Sequence, residues 1–225
     1  MIHFHIITLF PESIEPYLAS SIIGRAVKNK KIKISYYDPK KFTHDRYGRV
    51  DRRPYGGGPG MVLEPDAILR AAEKAIGKKR GAEKIFFATD GAIFDEAMAK
   101  KLANPRGVAS RLTRHIVFIC GHYEGVDARV EKILKAKKVS MGPYVLTGGE
   151  LPAATVIDAV ARFVPGVLGK AESLEASRVS SPEVYTRPEV FIWKKKKYRV
   201  PPVLLSGNHA AIDAWKQTKR TLDTP

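Results

Sequence analysis

An α/β fold built on a mostly parallel sheet is predicted by three features of the first 165 residues. Short apolar runs recur with little polar interruption, as strands buried on both faces require; Ile85-Phe86-Phe87-Ala88 and Ile116-Val117-Phe118-Ile119-Cys120 are the plainest. Between such runs, apolar residues return at helical spacing. Glycine-bearing loops then follow the runs, at the position where open α/β sheets bind ligands.

In chain order, residues 2–9 read as strand one. Ile14, Leu18, Ile22 and Ala26 recur every four residues and predict one helix, with Pro16 tolerated in its first turn. Ile32, Ile34 and Tyr36 alternate with polar residues and predict strand two. Residues 38–60 show no period; so long an irregular stretch inside a compact domain marks a functional segment. Ala67, Ile68, Ala71, Ala72 and Ile76 form a helical stripe behind Pro65. Residues 85–88 are strand three, 95–103 a short helix, 116–120 strand four and 127–136 a helix. Val139 begins strand five, and 153–164 is the next helix. Residues 166–183 are small, polar and irregular. A basic run, Lys194-Lys195-Lys196-Lys197, precedes Tyr198 and Arg199, and Asn208 is a good N-cap for a last helix carrying Ala211, Ala214 and Trp215.

Composition narrows the function. Hydrophobic residues make up 44% of the 225, enough for a proper core. The single cysteine, Cys120, excludes a disulfide framework and a cysteine-rich zinc site, and its apolar strand makes it buried and inert. No signal peptide or membrane-length apolar stretch is apparent, so a soluble, cytoplasmic protein without membrane contact is expected. Lys and Arg number 39 against 23 Asp and Glu, a formal net charge of +16. That excess favours a polyanionic partner and salt-dependent binding.

The stretch 140–152, Ser-Met-Gly-Pro-Tyr-Val-Leu-Thr-Gly-Gly-Glu-Leu-Pro, is the most informative. Gly142, Gly148 and Gly149 allow a close backbone approach, and Tyr144, Val145 and Leu146 offer an apolar wall. The combination suits a neutral planar ligand held by main-chain groups. It does not suit a phosphate, because no Lys-Ser or Lys-Thr pair follows the glycines. Thr89-Asp90-Gly91 and Gly121-His122-Tyr123-Glu124-Gly125 follow two predicted strands, and the three loops together read as one site.

Longer motifs carry a resemblance. Thr43-His44-Asp45-Arg46, Asp51-Arg52-Arg53-Pro54-Tyr55-Gly56-Gly57-Gly58-Pro59-Gly60-Met61, Cys120-Gly121-His122-Tyr123-Glu124-Gly125, the 140–152 stretch, Arg162-Phe163-Val164-Pro165-Gly166-Val167-Leu168-Gly169 and Tyr185-Thr186-Arg187-Pro188-Glu189 stand in the order found in the bacterial tRNA (guanine-N1)-methyltransferases. The chain resembles that family, of the SPOUT superfamily, from residue 1 to about residue 215. The resemblance implies a SPOUT-type sheet with a C-terminal trefoil knot and a short, truncated C-terminal helical segment. It divides the chain into a methyltransferase domain over 1–165, a linker or substrate loop over 166–184 and a tRNA-binding region over 185–225. It implies a homodimer, tRNA and not DNA as partner, and S-adenosylmethionine as methyl donor to N1 of the guanine 3′ of the anticodon. Magnesium is suggested as well, without protein ligands, and no protein metal site is expected. The alternatives are a SPOUT enzyme acting on another RNA, or a catalytically weak RNA-binding homologue.

Residue by residue, the resemblance assigns the donor pocket to Phe87, Ala88, Thr89, Gly121, His122, Tyr123, Glu124, Ser140, Met141, Gly142, Tyr144, Val145, Leu146, Gly148, Gly149 and Pro152. Guanine and its neighbours fall to His44, Asp51, Tyr55, Gly57, Gly58, Pro59 and Gly60, and Arg162 is the cation at the reacting base. The family's aspartate, read as general base, falls at Ser177. Glu175, two residues away, is therefore the candidate proton acceptor, with Ser177 orienting guanine.

Overall fold

The structure is a computed structural model that describes residues 1–77, 79, 81–104, 113–168 and 183–222. The chain divides into two compact units, 1–168 and 169–225.

The first unit is a five-stranded sheet whose paired strands all run parallel. Its strands are β1 (Ile2–Ile7), β2 (Ile32–Tyr37), β5 (Glu83–Ile93), β6 (Arg114–Ile119) and β7 (Lys137–Ser140), in the order β2-β1-β6-β5-β7. A two-residue antiparallel pair, β3 (Asp51–Arg52) and β4 (Val62–Leu63), stands apart from it. Every residue of β1 is buried, which explains its unbroken apolar reading: helices cover both faces. On one face Phe4, Ile6, Ile116 and Phe118 pack with residues of α2 (Ser21–Lys28), α4 (Glu96–Ala103) and α6 (Glu150–Arg162). On the other, Ile7, Val117 and Ile119 pack with α3 (Pro65–Ile76) and with Val130 of α5 (Ala128–Leu134).

Side-chain caps set several helix starts. Asp95 accepts from the Met98 N–H at 2.7 Å and Asp127 from the Arg129 N–H at 2.9 Å. The Arg129 guanidinium, hydrogen-bonded to the Asp127 carboxyl, holds it below the usual carboxylate range, and the N–H bond adds to this. The α5 helix stops where Lys135 turns left-handed at φ 50°.

Two predicted elements come out differently. The single helix expected on Ile14, Leu18, Ile22 and Ala26 is broken into α1 (Glu15–Leu18) and α2, because Ser20 is extended and Ser21 has φ 48°. After the break Ile23 is buried and Ile22 faces solvent, while Ala26 is buried as expected. Strand three runs to Ile93, beyond Ala88, and takes in Thr89, Asp90 and Gly91, expected in a loop. Val139 of β7 pairs with both Phe87 and Ala92, so residues 88–91 bulge out of the ladder. Asp90 in that bulge is tied back by Lys138 Nζ at 2.8 Å.

In the second unit the described residues form a hairpin, β8 (Val190–Trp193) and β9 (Lys196–Arg199), and the helix α7 (His209–Leu222). Lys194 and Lys195, both at positive φ, make the hairpin turn. The lysine run therefore belongs to a β-ribbon, for which the β-branched and aromatic run Val-Phe-Ile-Trp is the sequence signal. Asn208 caps α7 as expected, its Oδ1 accepting from the Ala211 N–H at 3.2 Å. No helix among the described residues is long and apolar enough to cross a membrane.

Candidate functional site

Parallel strands end together, so the segments that follow β6, β7 and the first half of β5 converge at the carboxyl edge of the sheet. There they enclose a cavity of about 350 Å³. The residues assigned to the donor pocket line it, apart from Gly142: Phe87 of β5 with Ala88 and Thr89 of its bulge; Gly121, His122, Tyr123 and Glu124; and Ser140, Met141, Tyr144, Val145, Leu146, Gly148, Gly149 and Pro152. Gly142 is buried off the wall, where its N–H donates to Ser140 Oγ at 3.2 Å and so shapes the loop. Phe86, Gly125, Val126, Val139 and Thr147 also line the cavity. Gly125, Val126 and Thr147 lie in the loops, where no strand period would have selected them.

One close contact holds the walls together. The Gly149 N–H donates to the Gly121 carbonyl at 3.0 Å, and His122 bridges to Gly148. A Cβ on Gly149 would lie 2.6 Å from the Cys120 Cα, so only glycine fits. Beneath this contact Thr8 Oγ1 donates to Glu150 Oε1 at 2.6 Å, tying the segment after β1 to the first residue of α6 in a buried bond. Burial pushes the Cys120 thiol well up, which leaves it an inert part of the wall.

The wall chemistry matches a neutral, partly planar ligand. Tyr144, Val145, Leu146 and Pro152 give an apolar side, and backbone groups of two glycine loops give the polar one. Glu124 is the only charged residue among the lining ones. His122 Nδ1 is buried without a hydrogen-bond partner beside Gly148, a polar atom that a ligand can satisfy.

The glycine-rich loop reaches the lip of this cavity. The Glu124 N–H donates to the Met61 carbonyl at 3.0 Å, and the Leu63 N–H to the Gly125 carbonyl at 2.9 Å. Gly60, at φ 82°, lies against the Glu124 carboxylate: a Cβ there would come within 2.4 Å of Oε1. Asp51 sits in β3 opposite Leu63, and Tyr55 is fully exposed beside Gly57, Gly58 and Pro59. His44 is exposed in a turn held by Thr43 and Asp45, and is not among the cavity residues.

Arg162 is placed elsewhere. Gly149 at the start of α6 lines the cavity, while Arg162 is that helix's last residue and does not line it. Thirteen residues at 1.5 Å each put it about 20 Å along the axis. Glu175 and Ser177 lie outside the described residues.

Fold and site together define a parallel α/β protein with a glycine-built pocket at its strand ends. Comparison with known proteins gives the family: the profile described as tRNA (Guanine-1)-methyltransferase TrmD matches residues 2–225, and the chain belongs to that family. A tRNA (guanine-N(1)-)-methyltransferase of Magnetococcus marinus is 42% identical over 225 residues, covering 98% of this chain and 85% of that protein. One from Carboxydothermus hydrogenoformans is 42% identical over 223 residues, covering 97% and 83%. One from Salmonella paratyphi C is 46% identical over 219 residues, covering 94% and 80%.

Substituting the two contacting glycines separates contact from space. Gly149→Ala drives a methyl into the Cys120 backbone and is expected to cost about 1–3 kcal/mol, as overpacking does. At Gly121 a Cβ meets Val126 at an ordinary 3.4 Å, so Gly121→Ala is expected to leave the urea midpoint nearly unchanged. Equal midpoints for the two variants would contradict the contact.

Proposed function

We infer that this chain methylates N1 of guanine in tRNA, and that the guanine is the one immediately 3′ of the anticodon. The observation that carries the reading is the shared edge: the Pro-Tyr-Gly loop is bonded to the lip of the cavity at Glu124, so a base held by one faces a donor held in the other. The cavity suits S-adenosylmethionine, which supplies an electrophilic sulfonium methyl. Adenosine fits the apolar wall, and His122 Nδ1 and the loop backbones supply hydrogen bonds. On this reading the segments 120–125 and 140–152 form the trefoil knot of the SPOUT fold, and the work is cytoplasmic. Magnesium required by the reaction would arrive with the substrates.

The chemistry asks for three things. Neutral guanine carries a proton on N1, so a base must take it as the N1–methyl bond forms and the sulfur–methyl bond breaks, leaving a neutral thioether. The negative charge that gathers on O6 needs a cation. Asp51, Tyr55 and the glycine loop hold the base, with His44 farther out on the RNA. Arg162 faces O6. Glu175 accepts the proton, with Ser177 orienting guanine. The net charge of +16 and the Lys-rich hairpin supply attraction for the RNA backbone.

The length of α6 supports a homodimer. Arg162 stands about 20 Å along that helix from its own cavity edge, too far to touch a base seated there. A second copy that brings its Arg162 to this cavity completes the site, and two-fold pairing does so twice.

The direct test is methyl transfer to a tRNA transcript, read by a primer-extension stop. A stop is expected 3′ of the anticodon, and is expected to vanish when that guanine is replaced by adenine. A stop at another guanine would move the target to another position, and no transfer to any tRNA would leave only RNA binding. In single turnover, Glu175→Gln is expected to slow transfer by ~10²-fold or more, as loss of a general base does. A rate within about twofold of the parent, with a gain of that size from Ser177→Asp, would remove Glu175 from the role. For the dimer, Arg162→Ala and Tyr144→Ala subunits, each inactive alone, are expected to recover about a quarter of the parent activity on mixing, the share set by random two-fold pairing. No recovery after confirmed subunit exchange would rule out the shared site.

A further inference from the structure

Three histidines that methyl transfer does not use meet at the other end of the sheet. His3 and His5 alternate along β1 and so face the same side, and His115 of β6 pairs in register with His3. His5 is fully buried and His3 is 8% exposed. Their ring centroids stand 3.8 Å apart, and His5 Nε2 lies 3.0 Å from His115 Nδ1. One ligand atom from each of the three falls within 4.8 Å of the other two. Among the described residues no other group of three His, Cys, Asp or Glu side chains is so arranged.

We propose that His3, His5 and His115 form a transition-metal site, of the kind that takes Zn²⁺ or its imidazole-preferring neighbours, which ties β1 to β6 away from the methyl-transfer cavity.

The outer contacts are those a metal-bound imidazole needs. A ligating histidine uses one ring nitrogen for the metal and holds the other on a hydrogen-bond partner. His3 Nε2 lies 2.9 Å from Ser35 Oγ, which leaves Nδ1 for the ion. His5 Nδ1 lies 3.0 Å from Tyr37 Oη, which leaves Nε2. His5 Nε2 already faces His115 Nδ1 at 3.0 Å, near the ~3.4 Å between ligand atoms around a tetrahedral zinc with bonds of about 2.0–2.1 Å. Small ring rotations bring the third nitrogen in, and a water completes the set.

Protonation favours the same reading. Burial pushes His5 down to about 3 and His3 to about 4, with neighbouring Lys33, Lys79 and His115 adding to the effect. Both rings are therefore neutral at pH 7, the form that binds metal. The proton shared between His5 and His115 need only move to the outer nitrogen of His115, a change of tautomer with no net release. The two lysines oppose a cation but do so weakly. Lys33 is exposed, and Lys79 Nζ is bonded to the Ala75 and Ile76 carbonyls at 2.9 and 3.2 Å at the end of α3. Neutral imidazoles without a carboxylate select zinc, copper or nickel over magnesium. The site is also remote from methyl transfer: six residues of extended chain, about 20 Å, separate His115 from Gly121.

Cobalt(II) is the probe, with the full chain expressed without a histidine tag and stripped of metal. At neutral pH, Co²⁺ is expected to give visible d–d bands of a four-coordinate site that saturate at one equivalent per chain. Zn²⁺ should abolish those bands and Mg²⁺ should not. His115→Gln, at the half-buried position, is expected to keep its circular dichroism and to bind Co²⁺ ~10-fold or more weakly. His3→Gln carries the same test if that variant fails to fold. Zn²⁺ should raise the melting temperature of the parent and not of the variants. A spectrum that stays that of hydrated cobalt, or bands unchanged in a folded variant, overturns the proposal.

Discussion

The site depends on two backbones touching. The Gly149 N–H reaches the Gly121 carbonyl because Gly149 carries no side chain: the Cys120 Cα fills the space a Cβ there would need. This contact joins the segment after β6 to the start of α6. It sets the angle at which α6 leaves the sheet edge, and with it the burial of Ala153, Val156, Ile157 and Val160 against the sheet. It also holds Val145, Leu146 and Pro152 opposite the β5 bulge, so the cavity has walls before any ligand enters. A pocket built this way loses little freedom on binding.

Most of the first unit was legible because strands buried on both faces leave apolar runs and helices leave a period of 3.6. The failures share a cause: one residue at an unusual φ, or one extra stretch, changes phase. Ser21 at φ 48° turns one predicted helix into two, and a serine gives no notice of a left-handed turn. Thr89, Asp90 and Gly91 of the 88–91 bulge were expected past the end of a strand, because nothing in their sequence says that Ala92 pairs again with Val139. Even so, the bulge puts Thr89 on the cavity wall, so the residue reached the site by a different backbone route.

The cavity was readable for a different reason. Its residues are contiguous in three short segments, and glycines beside aliphatic residues at strand ends are a local signal. The histidine cluster was not readable in that way. His-x-His in a strand places two rings on one face, yet the third ring lies 110 residues further on and joins them only through strand pairing. Ser35 and Tyr37, which hold the outer nitrogens, come from yet another strand. Constellations assembled across a parallel sheet leave little trace in any one segment.

The length of α6 carries a consequence for the proposed reaction. Pro152 stands in its first turn, where it breaks no helical hydrogen bond, and buried alanines and valines pin the rest to the sheet. The Tyr17 hydroxyl adds a hydrogen bond to Asp158 near the far end. Such a helix is a spacer that holds Gly149 and Arg162 about 20 Å apart within one chain. Rigidity that would be a defect in a self-sufficient enzyme becomes useful when two copies pair. In the proposed pairing each helix presents its glycine end to its own cavity and its arginine end to the partner's. On the proposed shared site, assembly gates catalysis: an isolated chain holds a donor and lacks the cation that the methyl-accepting base requires.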